Sequence, residues 1–99
     1  MNKIFTTCCL SLACLSPNLF AADIAAGKEK SVSCAACHGV EGISPNPIWP
    51  NLAGQHAAYL ALQLKAFKDG SRKNATMNAM AQALSEEDMQ NIAAYFESL

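Results

Sequence analysis

Two cysteines and a histidine within five consecutive residues, Cys34-Ala35-Ala36-Cys37-His38, constrain this chain more than any other feature in it. The remaining cysteines, Cys8, Cys9 and Cys14, fall in an N-terminal stretch with the marks of an export leader. Met1 to Lys3 opens with a positive charge, Ile4 to Leu15 is almost entirely apolar or small, and Pro17-Asn18 breaks the run ahead of Leu19-Phe20-Ala21-Ala22. This pattern predicts a signal peptide over residues 1–21, cut after Ala21 with Ala22 as the alternative, and a domain over residues 22–99. Ser11-Leu12-Ala13-Cys14 also resembles a lipoprotein cleavage box, a minor second route that would leave Cys14 lipidated and the domain tethered. The apolar run is too short to cross a hydrocarbon core of about 30 Å, and no later segment is longer, so no transmembrane segment is expected once the leader is removed.

Removing the leader leaves Cys34 and Cys37 as the only thiols, in a domain of 78 residues from Ala22 to Leu99. Exported domains of this size bury too little apolar surface to be comfortable alone, and they recruit disulfides, a metal or another filler. The charge balance is mildly acidic: Lys28, Lys30, Lys65, Lys68, Arg72 and Lys73 face all eight acidic residues of the chain. With no basic block and no basic helical stripe, neither nucleic acid nor an anionic membrane surface is an expected partner.

The apolar spacing is helical throughout, without strand-like alternation or internal repeats. Asp23 can cap a first helix over Ile24 to Ser33. Gly39 to Gly54 holds three glycines and the prolines Pro45, Pro47 and Pro50, which predicts an ordered loop without regular structure. His56 to Asp69 returns to helical spacing, with Leu60, Leu64 and Phe67 on one face and Gly70 as its C-terminal cap. A second loop is expected over Ser71 to Leu84. Ser85-Glu86-Glu87-Asp88 then opens a last helix whose stripe is Met89, Ile92, Ala93 and Phe96. The expected architecture is all-α: three main helices and two long loops wrapped around a body that the chain itself does not supply.

The cysteine pair and its histidine indicate what that body is. Thiols three residues apart on a helical turn can each add to a vinyl group of one haem, and the following histidine then projects over the ring to reach iron. A zinc site would need two further donors, and outside the leader only His56 is available. A thiol redox motif would need a βαβ context that the pattern lacks, and a disulfide across two residues closes too small a loop to brace the fold. One covalent haem c, with its iron, is the reading that also fills the core.

The sequence resembles class I cytochromes c, in particular the short bacterial group typified by cytochromes c4 and c553, over Asp23 to Leu99. The matching pieces are Ala26-Gly27-Lys28, Cys34-Ala35-Ala36-Cys37-His38-Gly39, Pro50-Asn51-Leu52-Ala53-Gly54-Gln55, Met77-Asn78-Ala79-Met80, and Leu84-Ser85 leading to Ala93-Ala94-Tyr95-Phe96. The resemblance implies a cytochrome c fold around one haem, thioethers from Cys34 and Cys37, and axial ligands His38 and Met77, with Met80 as the fallback. It also implies that the Pro50 carbonyl holds the far ring nitrogen of His38, and that Gly27 lets the first helix cross the last one closely against Tyr95 or Phe96. Met89 sits at core spacing, and His56 at a helix start, so neither is the expected ligand. Tyr59, Arg72 and Asn74 are weaker candidates for contacts to haem propionates.

With both axial positions occupied, iron can exchange one electron and little else, which implies a carrier and not an enzyme. The expected function is a periplasmic monohaem electron carrier that docks transiently on larger redox proteins, as a monomer or weak dimer. A haem subunit of a larger oxidoreductase is one alternative. A gas-binding or peroxidatic protein, should the methionine be labile, is the other.

Overall fold

The computed structural model describes residues 21–99. The leader reading, including Cys14, therefore lies outside the described residues except for its last position, Ala21. Among the described residues all regular structure is helical: α1 (Ile24–Lys30), a 3-10 turn (Ser31–Cys34), α2 (Ala35–His38), α3 (Ala57–Asp69), α4 (Ala75–Ala81) and α5 (Glu86–Glu97). None of these helices is long and apolar enough to cross a membrane.

Local chemistry sets most of the helix ends. Asp23 caps α1 by accepting from the Ala26 N–H at 3.0 Å. Gly70 ends α3 in the left-handed region, at φ 81°. At the start of α5, the Ser85 hydroxyl accepts from the Asp88 N–H while the Asp88 carboxylate accepts from the Ser85 N–H, each at 3.0 Å, which is a complete capping box. Two expectations about helices need correction. The first helix does not run to Ser33: the Ser31 hydroxyl donates to the Lys28 carbonyl at 2.8 Å, and the chain tightens into the 3-10 turn before α2 resumes. The second loop is not irregular throughout, because α4 occupies its middle, capped by Asn74.

α5 is the central element, packed against α1 on one side and α3 on the other, while α4 packs on α3. The core consists of Leu60, Leu84, Met89, Ile92, Ala93, Tyr95 and Phe96, with Leu52, Ala57, Ala61, Leu64 and Cys34 partly buried around it. α1 and α5 meet at Gly27, as its lack of a side chain suggests, and the nearest atoms there belong to the α5 backbone. A Cβ on Gly27 would lie 2.0 Å from the Asn91 carbonyl oxygen, so the contact is backbone to backbone. The buried Asn91 side chain reinforces it by accepting from the Asp23 N–H at 2.8 Å.

Candidate functional site

Cys34 closes the 3-10 turn, and Cys37 and His38 end α2. The chain must then turn sharply, and Gly39 permits it: φ is +85°, and a Cβ there would lie 1.9 Å from the Ile43 carbonyl oxygen. Both side chains are half-buried, and no disulfide joins them. Burial pushes the Cys34 thiol above the ordinary thiol range, against a Ser33 hydrogen bond that lowers it, while the neighbouring Cys37 adds to the rise. No three His, Cys, Asp or Glu side chains among the described residues come together as metal donors, so the pair has no protein partners with which to build a zinc site.

His38 is buried, and its Nδ1 lies 2.8 Å from the Pro50 carbonyl oxygen. A carbonyl only accepts, so Nδ1 donates the hydrogen bond; in the neutral ring this selects the tautomer whose Nε2 lone pair can bind a metal. Pro50 is held in turn by a polar mesh within the loop. The Ser44 N–H donates to Asn51 Oδ1 at 2.7 Å, the Leu52 and Ala53 N–H groups donate to the Gly42 carbonyl, and the Gly54 N–H donates to the Phe96 carbonyl at 2.9 Å. Tyr95 ties α5 to the same region, its hydroxyl donating to the Val40 carbonyl at 3.3 Å. Ser44, Asn51 and Asn91 are supports that the reading of the sequence did not assign a role. Short polar side chains beside proline were the available signal for the first two.

Met77 lies half-buried in α4, and Met80, one turn further on, is 38% exposed. α2, which ends at His38, and α4, which carries Met77, are not among the closely packed helix pairs. Met89 is core and only 2% exposed, and His56 is exposed at the start of α3. Of the candidate propionate contacts, Arg72 donates to Gln63 Oε1 at 2.8 Å and lies over the Phe67 ring, and the Asn74 side chain caps α4. Tyr59, 48% exposed, makes no side-chain hydrogen bond among the described residues.

The fit to a flat apolar macrocycle rests on what lies outside the core. Leu62 on α3 and Ile43 and Ile48 on the loop are between 61% and 74% exposed, and Trp49, beside Pro50, is 37% exposed. α3 thus has two apolar faces: Leu60 and Phe67 are buried, whereas Tyr59 and Leu62, three residues apart, point elsewhere. A second apolar face on a short helix suits a ligand as large as a porphyrin.

The family model for cytochrome c matches residues 24–99. Cytochrome c-554(548) of Halomonas halodenitrificans is 52% identical over 81 residues, which covers 79% of this chain and 98% of that protein. Cytochrome c4 of Pseudomonas aeruginosa is 43% identical over 98 residues, 99% of this chain but 49% of its own length. The crystal structure of reduced recombinant cytochrome c4 from Pseudomonas stutzeri is similar at a TM-score of 0.75 and 46% identity, over 79% of this chain and 46% of that one. This chain therefore spans nearly all of the first relative and about half the length of the cytochrome c4 relatives.

Proposed function

This chain belongs to the cytochrome c family, a family of electron carriers with covalently bound haem c, and we propose that it works as an exported monohaem carrier between larger redox proteins. When bound, the haem iron supplies one-electron redox chemistry. Cys34 and Cys37 would hold the group through thioethers, and His38 would give iron the Nε2 lone pair. Met77 would give a thioether sulfur, which would favour ferrous iron and raise the potential. The observation that carries this reading is the hydrogen bond from His38 Nδ1 to the Pro50 carbonyl. It sets a buried histidine, next to the cysteine pair, in the tautomer that a metal needs.

With His38 and Met77 both on iron, substrate would have no access, which supports a carrier and not an enzyme. Docking to partners is brief, through a small apolar patch with a polar rim. Export through the leader places the carrier in the periplasm as a monomer or weak dimer.

A pyridine haemochrome spectrum and an intact mass of the exported protein test attachment and leader cleavage together; a colourless, compact chain with two free thiols would refute the reading. Met77→Ala should abolish the long-wavelength sulfur-to-iron charge-transfer band and lower the potential, whereas Met80→Ala should keep the band. Loss of the band in the Met80 variant alone would move the ligand to Met80. Carbon monoxide added to the reduced protein at neutral pH should leave the spectrum nearly unchanged; a large shift would point to an open site.

A further inference from the structure

α4 is seven residues long, and Ala81 is its only fully buried residue. Side-chain amides hold it in place. Asn74 Oδ1 accepts from the N–H of Met77 itself at 2.9 Å. Asn78 uses both ends of its amide: Nδ2 donates to the Phe67 and Arg72 carbonyls, each at 2.8 Å, and Oδ1 accepts from the Asn74 N–H at 2.9 Å. Gln82 adds donations to the Lys68 and Asn78 carbonyls at 2.9 and 3.2 Å. Phe67 and Lys68 lie in the last turn of α3, where carbonyls have no partner within the helix. The orientation of the Asn78 amide is fixed by its neighbours, since reversing it would set its oxygen against two carbonyls and its NH2 against an N–H.

A continuous chain of hydrogen bonds therefore runs from the end of α3 through Asn78 to the backbone of Asn74, and from the Asn74 side chain to the backbone of Met77. We propose that Asn78 is a positioning residue for the Met77 sulfur: by clamping α4 to α3 it limits how often the thioether leaves iron. The proposal rests on Met77 as the axial ligand. Without the clamp α4 moves more freely, and a competing ligand gains access to ferric iron.

The test is an imidazole titration of the haem-loaded, full-chain ferric protein, followed by loss of the sulfur-to-iron charge-transfer band, well below the melting temperature of every variant. Asn78→Ala removes two donated hydrogen bonds and one accepted bond, each worth roughly a fivefold change in an equilibrium constant, and should tighten imidazole binding by at least about tenfold, with about a hundredfold as the ceiling if all three act on the Met77 position. Asn78→Asp keeps the acceptor for Asn74 but loses both donations, and should bind imidazole at least as tightly as Asn78→Ala. Ser85→Ala, which removes a cap on α5 but none of these bonds, should lower the melting temperature yet leave imidazole affinity within about twofold of wild type. Should Asn78→Ala fail to mature, Asn78→Ser takes the same titration. Unchanged imidazole affinity in the Asn78 variants, or an equal shift in Ser85→Ala, would reduce Asn78 to a general stabiliser and overturn the proposal. If Met77→Ala keeps the band, the ligand reading itself fails and the role of Asn78 falls with it; if Met77→Ala loses the band while the Asn78 variants bind imidazole like wild type, only the positioning role fails.

Discussion

Gly27→Ala places one methyl group where the backbones of two helices meet. The new Cβ would lie 2.0 Å from the Asn91 carbonyl oxygen, 2.5 Å from its carbonyl carbon and 3.0 Å from the Ile92 nitrogen, where ordinary contact begins at 3.4 Å. α1 and α5 would have to separate by about 1.4 Å, and no rotamer change can relieve the clash because the obstructing atoms are backbone. Overpacking of this kind costs about 1–3 kcal/mol. The shift would also stretch the 2.8 Å hydrogen bond from the Asp23 N–H to Asn91 Oδ1, worth about 1 kcal/mol. The better helix propensity of alanine returns about 1 kcal/mol. A net loss of about 2 kcal/mol remains, against a total stability of roughly 4–12 kcal/mol for a domain of this size. Each kcal/mol moves the melting temperature by roughly 4–8 °C, so thermal unfolding of the haem-loaded protein should show a drop of about 10–15 °C. α1 leads directly into the turn that carries Cys34, so the yield of haem-loaded protein should fall as well. A melting temperature within about 2 °C of wild type would mean that the two helices do not meet at Gly27, and the packing argument would fail.

The capping box offers a smaller effect of known sign: Ser85→Ala should cost about 1 kcal/mol, read as a lower midpoint in denaturant with an unchanged slope. The Ser85 N–H holds the Asp88 carboxyl below the usual range, assisted by Lys30 and opposed by burial. Its contribution to stability is therefore complete above the ordinary aspartate value of about 4 and is lost as pH falls through the lowered one, so Asp88→Asn should flatten the loss of melting temperature between about pH 5 and about pH 2. Cys34→Ala combined with Cys37→Ala should leave a chain without cooperative unfolding by circular dichroism, because the buried apolar side chains among the described residues number nine and two of them are alanines; a folded, haem-free double variant would contradict this.

What the sequence determined by itself was what depends on near neighbours. Asp23 capping α1, Ser85 and Asp88 forming a box and Gly70 ending α3 are contacts within four residues, and residue types specify them directly. The stripes of α3 and α5 were legible for the same reason, since helical spacing alone places Leu60 with Phe67 and Met89 with Phe96. The cysteine pair with its histidine was legible because thioether attachment constrains spacing along the chain, and spacing is what a sequence records.

Tertiary structure decided the rest. α4 is hard to see in the sequence because its apolar positions, Met77, Met80 and Ala81, span little more than one turn; amides reaching back to carbonyls 11 and 14 residues away hold it. The atoms nearest to Gly27 are those of the Asn91 backbone carbonyl, and residue type says nothing about carbonyls, which every residue carries. The bond between Asp23 and Asn91 spans 68 positions, and that between His38 and Pro50 spans 12, across a loop whose path no local preference sets. Short-range hydrogen bonds follow from the identities of adjacent residues. Long-range ones exist only once packing has brought the chain together, and on those the orientation of His38 and the placement of Met77 depend.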